Sequence, residues 1–247
     1  MTLTADPDPS SLGELGHGQW SMVMVEKDTR PHVLKVLKYR KMLDWEEKAY
    51  FCSQNQDNMY TKRTFLAIQI PSSEEYTSMV NRLKNNLTHE KFINYCRPEN
   101  IHLTLKFLGS TPVDDIPAII ESCQKVAKRH QPFTMDFDKT GFFGKNRVPT
   151  VLWLGMNNQP QALFDLEADL LDAFDDLGYL RDRQNFVPHL TVCRIKSLVD
   201  KQFFMKVYDG IEPKTYLHAD VKELVYYQSI LQPTGPIYKV IKKIPLG

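Results

Sequence analysis

The most constraining feature of this sequence is a short motif that occurs twice, His-Leu-Thr followed by an apolar residue. It begins at His102 in "NIHLTLKFLG" and at His189 in "VPHLTVCRI". Each copy lies in a short apolar run of the kind that forms a buried strand. Side chains at positions i and i+2 of a strand point to the same face, so each histidine projects together with the threonine after it, Thr104 or Thr191. The sequence therefore predicts two strands that each present an imidazole and a hydroxyl on one face.

Amphipathic helices are predicted between the strands. The stretch "SSEEYTSMVNRLKNNL" predicts a helix with Ser72 as N-cap, because a glutamate three residues later completes a capping box. A second helix is predicted to be capped by Thr111 and opened by Pro112. A third is predicted between Pro160 and Gly178, where leucines recur at spacings of three and four. The residues from about 197 to 218 give no clear pattern.

This alternation of strands and helices predicts an α+β or α/β fold, with sheets covered by helices on one side. The order of strand and helix leading up to each His-Leu-Thr is similar. That similarity suggests an ancient duplication, with one copy of the motif in each half.

The N-terminal part of the chain has a different character. We divide the chain into an N-terminal extension, residues 1–62, and a main domain, residues 63–247. Within the extension, residues 1–16 read as a flexible lead-in, a hairpin is predicted around "EKDTRP", and a helix is predicted over residues 41–51. The sequence assigns no function to this extension.

Composition excludes several classes of protein. With 31 basic and 30 acidic residues, the chain has a formal net charge of +1 and is not expected to coat long nucleic acid through its overall field. No run approaches the roughly 18 apolar residues of a membrane-spanning helix, and the N-terminus lacks a signal sequence, so we expect a cytoplasmic protein without a membrane partner. The four cysteines have no metal-ligand spacing, and we predict no metal and no cofactor.

The paired motif suits hydrolysis of a phosphodiester. If the two strands lie side by side, one imidazole can take a proton from water while the other gives a proton to the leaving oxygen. Histidine suits both roles because its ordinary pKa, about 6.5, leaves both protonation states populated near neutrality. The hydroxyls of Thr104 and Thr191 can hold the non-bridging oxygens. The two motifs are nearly symmetric, so the residues alone do not say which histidine is the acid.

The chain resembles the 2H phosphoesterase superfamily, and in particular its RNA ligase-like branch, the RNA 2′,3′-cyclic phosphodiesterases also called 2′-5′ RNA ligases. The resemblance runs from about Thr64 to the C-terminus. It rests on "RPENIHLTLKFLG", "FVPHLTVCR", "VPTVLWLG" and the closing "YYQSILQPTGPIYKVIKKIPL", with its serine, Pro-Gly turn and tyrosine.

The resemblance implies an α+β, bilobal fold, in which two antiparallel sheets with outer helices surround a central cleft. It implies that His102 protonates the departing 3′ oxygen and that His189 activates water, leaving a 2′-phosphate. Arg194 matches a phosphate-binding arginine of this branch. Strict alternation would turn Arg194 away from His189, so a bulge or strand end must reverse it. The expected partners are RNA ends or nucleoside 2′,3′-cyclic phosphates, and the expected state is a monomer.

Other side chains have two interpretations. Lys106 is predicted to share the face of His102 and Thr104, where it either meets phosphate or forms a solvated rim. Several aromatic side chains either stack on a base or belong to the core. They are Phe142, Phe143, Trp153 and Tyr227.

Three other functions remain open. The domain is an enzyme of the same superfamily acting on another 2′-linked substrate such as 2′-5′ oligoadenylate, or an RNA- or nucleotide-binding module whose catalysis has lapsed. In the third, the N-terminal extension makes the chain an interaction or scaffold protein.

Overall fold

The computed structural model describes residues 60–145, 148–181, 185–233 and 235–247 in full, and the backbone of residues 21–27 and 34–40. The chain divides into two units, Met1–Met59 and Tyr60–Gly247. In the first unit, strands β1 (Ser21–Lys27) and β2 (Leu34–Arg40) pair antiparallel, on either side of the stretch where a hairpin is predicted. The lead-in and the helix predicted over residues 41–51 lie outside the described residues.

The second unit contains strands and helices in alternation. Its strands are β3 (Thr61–Gln69), β4 (Ile93–Tyr95), β5 (His102–Pro112), β6 (Phe133–Phe137), β7 (Lys139–Lys145), β8 (Val148–Gly155), β9 (Leu190–Ile195), β10 (Leu217–Val221), β11 (Glu223–Ile230) and β12 (Ile237–Pro245). Its helices are α1 (Glu74–Asn86), α2 (Ile116–Ala127), α3 (Gln161–Asp176) and α4 (Lys201–Asp209).

The strands that carry the two motifs lie at the centre of the main sheet. The order is β12-β11-β3-β5-β9-β8-β7, with β4 paired to β9, and β6 and β10 form a separate two-stranded sheet. Every pairing is antiparallel. Strands β5 and β9 pair through one pair of residues, Leu103 and Leu190, in the described structure. We call this short junction between the two halves of the sheet the seam. The predicted α+β fold with antiparallel sheets and outer helices is confirmed.

The two faces of the sheet have different neighbours. Leu66 and Ile68 of β3 belong to the large core, which includes the buried stripes of the helices. Phe65 and Ala67, which alternate with them, belong to a small separate cluster with Tyr227. The helices therefore cover one face, while the other face carries only a thin aromatic layer within the described residues.

Helix α1 begins one residue later than predicted. The N-cap is Ser73 rather than Ser72, and the Ser73 side chain accepts a hydrogen bond from the backbone N–H of Tyr76. Only Ser72 has a glutamate three residues later, so the cap at Ser73 is a single side-chain hydrogen bond and not a capping box.

The predicted start of the second helix is wrong. Thr111 and Pro112 end strand β5, and α2 begins only at Ile116. The Thr111 hydroxyl lies 2.7 Å from the Thr64 hydroxyl of β3 in the buried interior. Because it is hydrogen-bonded within the sheet, it does not cap the helix. The Thr64 hydroxyl in turn accepts a hydrogen bond from the phenol of Tyr226.

Helix α3 ends as predicted, with Gly178 beyond it at a φ of 82°. Helix α4 was not predicted. Its N-cap is Asp200, which accepts a hydrogen bond from the N–H of Phe203, but Phe204 is its one fully buried residue in the described structure. A helix with so thin an apolar stripe leaves little periodicity in the sequence. Within the described residues, no helix combines the length and apolar composition that a membrane crossing requires.

Candidate active site

The two histidines converge at the seam of the sheet. Leu103 and Leu190 are direct partners, and His102 and His189 stand immediately before them on adjoining strands. Extending this antiparallel register places each histidine level with the threonine of the other motif, all on one face. The rings are close enough for the charge of His189 to lower the pKa of His102.

Each imidazole is anchored in the same way. The Nδ1 atom of His102 lies 2.7 Å from the carbonyl oxygen of Asn100, and the Nδ1 atom of His189 lies 2.7 Å from that of Val187. A carbonyl oxygen can only accept, so each Nδ1 carries a proton and donates it. The Nε2 atom of each neutral ring is therefore left as a base. Both rings are held in the tautomer that a general base, or after protonation a general acid, requires.

Aromatic rings flank each imidazole. The His102 ring lies 5.1 Å from Phe65 and 5.1 Å from Tyr238, the latter at 87°. The His189 ring lies 4.8 Å from Phe143 at 89°. Edge-to-face contact of this kind is the favoured geometry for aromatic pairs.

The aromatic side chains singled out in the sequence divide between the two faces. Phe143 and Trp153 lie beside His189, and Tyr227 is buried in the layer beside His102. Phe142 instead packs edge-on against Tyr208, 5.4 Å away.

The surroundings favour the neutral form of both rings. Burial lowers the pKa of His102 most, the hydrogen bond to Asn100 partly opposes it, and the nearby positive charge of Arg194 lowers it further. Burial and Arg194 likewise lower the pKa of His189. Arg194 therefore gives the site positive charge without protonating either histidine, an arrangement suited to an anionic ligand.

A β-bulge turns Lys106 away from the site. In β5, Thr104 pairs with Ala67 but Lys106 pairs with the adjacent Leu66, so the residue between them is extra. Lys106 is 3% exposed, and its Nζ atom donates a hydrogen bond of 2.7 Å to the carbonyl oxygen of Leu180. The prediction that Lys106 shares the face of the motif is wrong, because a bulge shifts the alternation by one residue.

The second motif contains a bulge at the same place. In β9, Thr191 pairs with Trp153, whereas Cys193 pairs with the adjacent Leu152. The extra residue and Cys193 are both buried, and Arg194 after them is exposed. The bulge therefore brings Arg194 to the same face as His189 and Thr191. A reversal of this kind is what the sequence predicts for a phosphate-binding Arg194.

Phe107 is a candidate site residue that the sequence did not indicate. It follows His102 by five residues and so corresponds in the first motif to Arg194 in the second. Its ring is 40% exposed, lies side by side with Phe65 at 6.2 Å, and carries the Arg63 guanidinium 4.7 Å from its centroid. The correspondence with Arg194 was visible in the sequence, but its meaning depends on the matching bulges.

Within the described residues, no group of three or more histidine, cysteine or acidic side chains is placed to hold a metal ion. The described cysteines, Cys96, Cys123 and Cys193, are free thiols. The functional groups at the seam are thus imidazoles, hydroxyls, a guanidinium and aromatic rings.

Two strands that present matching His-x-Thr motifs to one face of an antiparallel sheet define the class of the 2H phosphoesterases. The family described as LigT like phosphoesterase matches residues 68–153. The chain is also 32% identical over 180 residues to the RNA 2′,3′-cyclic phosphodiesterase of Thermotoga maritima, a match that spans 72% of this chain and 92% of that protein. The protein belongs to this LigT-like family of 2H phosphoesterases.

Other relatives agree. The RNA 2′,3′-cyclic phosphodiesterase of Aquifex aeolicus is 28% identical over 179 residues, 71% of this chain and 94% of the relative. The crystal structure of Escherichia coli LigT with 3′-AMP is 24% identical, has a TM-score of 0.61 and is matched over 76% of this chain and 99% of its own. A Thermus thermophilus structure also has a TM-score of 0.61, at 24% identity, over 74% of this chain and 97% of its own. These two structures share the fold.

Proposed function

We propose that this protein hydrolyses the 2′,3′-cyclic phosphate ends of RNA to 2′-phosphates, by a metal-independent reaction in which His102 and His189 are the acid and the base. The observation that carries the proposal is the pair of identically anchored imidazoles on one face of the sheet beside Arg194, each with no hydrogen bond to Nε2 from the residues that the structure describes. The names of the T. maritima and A. aeolicus relatives support this substrate.

In the proposed reaction, Nε2 of neutral His189 takes a proton from water while the water oxygen forms a bond to phosphorus. The bond from phosphorus to the 3′ oxygen breaks, and that oxygen takes the proton from Nε2 of the His102 imidazolium. The direction follows the family resemblance, since the two anchors are alike. Each proton transfer is worth about 10²- to 10⁴-fold in rate.

We assign the non-bridging oxygens to three neutral or positive donors, Thr104, Thr191 and Arg194. Both threonines are half-buried on the strands of the seam, and the charge of Arg194 acts on both imidazoles. A guanidinium can bind two phosphate oxygens at once, so Arg194 suits the charge that develops on the phosphate.

The decisive experiment is product analysis with each of the four nucleoside 2′,3′-cyclic phosphates and a short RNA that ends in one. We expect 2′-phosphates, with turnover unchanged by a chelator. His102→Ala and His189→Ala should each lose about 10²- to 10⁴-fold in kcat or more. A matched control is His218→Ala, because His218 lies on β10 and contacts Asp136 away from the seam. Full turnover in both site variants would overturn the proposal.

The same panel separates the alternatives. Turnover of 2′-5′ oligoadenylate with no reaction at cyclic ends would indicate a different 2′-linked substrate. Binding of nucleotides without turnover of any substrate would indicate a lapsed enzyme. The monomeric state and the cytoplasmic location remain predictions, which light scattering and cell fractionation would test.

A further inference from the structure

The end of the β11–β12 hairpin leaves the sheet and contacts His102. Strands β11 and β12 pair as far as Ile230 and Ile237, but β11 pairs with β3 only at the residues opposite Thr64 to Ala67 in the described structure. Beyond that point the hairpin end is not held by β3. It brings Tyr238 to the His102 ring, with centroids 5.1 Å apart at 87°.

The same Tyr238 ring lies 4.9 Å from Phe65 at 72°, edge-on, and 6.1 Å from Tyr227. Phe65 is therefore buried although it lies on the face of the sheet that the helices do not cover. Tyr238 is the cross-strand partner of Ser229, and these two residues are the tyrosine and the serine of the closing sequence.

A second contact from the hairpin reaches His102 indirectly. The carbonyl oxygen of Pro236 accepts a hydrogen bond of 3.3 Å from Nδ2 of Asn100. Asn100 is the residue whose own carbonyl oxygen accepts the hydrogen bond from Nδ1 of His102. The hairpin end thus supports both the ring of His102 and the group that fixes its tautomer.

We propose that Tyr238 and Asn100 are positioning residues, through which the end of the β11–β12 hairpin holds the His102 imidazole in its reactive orientation. The inference rests on the proposed function. His189 has an equivalent support, because Phe143 of the β7–β8 hairpin meets its ring at 4.8 Å and 89°. Each imidazole is thus braced by an aromatic ring from a different hairpin.

The role assigned to Tyr238 is that of its ring rather than its hydroxyl. Edge-to-face packing restricts rotation of the imidazole about its bond to the strand, and a rotated ring would lose the hydrogen bond to Asn100. A misplacement of about 1 Å at a reacting group can cost about 10²-fold in rate. Loss of the ring should therefore lower kcat more than it changes KM.

The test compares Tyr238→Phe, which keeps the ring, with Tyr238→Leu, which removes it, and with Asn100→Ala. Tyr60→Leu is the matched control, because Tyr60 is an exposed tyrosine. We expect Tyr238→Leu and Asn100→Ala to lose roughly 10- to 100-fold in kcat with little change in KM, whereas Tyr238→Phe and Tyr60→Leu stay near the wild type. Equal losses in Tyr238→Phe and Tyr238→Leu would assign the effect to the hydroxyl and overturn the proposal.

A second readout does not need turnover. Nuclear magnetic resonance titration of the imidazole nitrogens reports the tautomer and pKa of each histidine. Within the described residues, the pKa of His102 is influenced by Arg194 on β9 and by the titratable His189 just before that strand. Burial raises the pKa of the Tyr227 and Tyr238 phenols on β11 and β12, so these groups stay neutral. Burial lowers the pKa of His102, so removing the Tyr238 ring admits water and should raise that pKa while His189 keeps its own.

An unchanged titration and an unchanged kcat in Tyr238→Leu would refute the positioning role. If Tyr238→Leu fails to fold, as judged by its thermal transition, Asn100→Ala decides the question by the same criteria. If the wild type turns over no cyclic phosphate, the proposed function fails, and the titration still tests whether the hairpin holds His102.

Discussion

At the scale of single residues, the proposed site places two histidines with lowered pKa values beside a positive charge. Both rings are half-buried, both donate from Nδ1 to a backbone carbonyl, and Arg194 lowers the pKa of each. Catalysis by an acid and a base requires one ring to be protonated while the other is neutral. The free protein therefore reaches this state at a lower pH than two unperturbed histidines would.

The first prediction concerns pH. Below the lower of the two pKa values both rings are charged and no base remains, and above the higher value both are neutral and no acid remains. Since both pKa values lie below the ordinary 6.5, kcat/KM should be greatest on the acid side of pH 6.5. The profile for kcat should lie at higher pH, because bound phosphate favours the charged imidazolium. A kcat/KM maximum on the alkaline side of neutrality would contradict this account.

The second prediction concerns Phe107. Its exposed ring lies on the face of His102, so we expect it to stack on the base of the terminal nucleotide. Stacking on an aromatic side chain is worth about 1–3 kcal/mol per base, so Phe107→Ala should lower kcat/KM by roughly 5- to 150-fold. The control is Phe203→Ala, since Phe203 is 38% exposed but lies on α4. Equal kcat/KM in the two variants would exclude the stacking role.

Periodicity in the sequence located the histidines and threonines but not every neighbour. The alternation of side chains between the two faces holds from each histidine to its threonine, where the strands are regular. It fails after each threonine, because each strand has one extra residue there. Lys106 was misplaced for this reason, and Phe107 was overlooked. A bulge depends on pairing with the neighbouring strand, which periodicity within one strand does not record.

At the scale of elements, the β7–β8 hairpin gives His189 a flat aromatic support. Gly141 is the cross-strand partner of Trp153, and Gly155 lies two residues beyond it. A Cβ atom at Gly141 would come within 2.1 Å of the indole, and one at Gly155 within 2.9 Å. The indole therefore lies over two glycines, beside His189 at 6.4 Å.

The third prediction tests this arrangement. Gly141→Ala should displace the indole, lower the free energy of unfolding by about 1–3 kcal/mol and reduce kcat. Urea unfolding and steady-state kinetics measure the two effects. Gly210→Ala is the control, because the atoms nearest to an added Cβ there lie at 3.5 Å, an ordinary contact. If Gly141→Ala and Gly210→Ala unfold at the same urea concentration, the glycine support is refuted.

The helices show which elements a sequence can reveal. The long stripe of α3 was predicted with both ends, because its leucines recur over four turns and Gly178 marks the end. The predicted start of α2 was wrong because the Thr111 hydroxyl is hydrogen-bonded to Thr64 on the neighbouring strand β3 and to the carbonyl oxygen of Gly109 in its own strand, a use that local capping rules do not anticipate. A helix could therefore be predicted when its apolar repeat and its end signals were strong in the local sequence, whatever its importance to the fold.

At the scale of the whole molecule, the division of the chain into two units matches the extent of its relatives. The match to the A. aeolicus relative spans 94% of that protein but 71% of this chain, so the relative offers almost no counterpart to the remainder. The structural division falls between Met59 and Tyr60, just before β3. Both motifs lie in the second unit, and so do all of the described side chains that contact the two imidazoles.

The fourth prediction follows from this division. A chain beginning at Tyr60 should keep a cooperative thermal transition and an unchanged kcat/KM on a nucleoside 2′,3′-cyclic phosphate, since every proposed site residue lies beyond the division. Activity and unfolding would be compared with the full chain. A large loss of kcat/KM in a folded shortened chain would show that the extension takes part in the reaction.

The equal anchoring of the two rings also bears on what happens between turnovers. In the proposed reaction, the proton of His102 leaves with the 3′ oxygen and His189 ends with a proton from water, the reverse of the starting arrangement. Because each Nδ1 donates to a carbonyl at 2.7 Å, each Nε2 can release or take up a proton while its ring keeps its orientation, so exchange with solvent can restore the first arrangement. Under this proposal, the two anchored rings return to their starting protonation states by exchange with water.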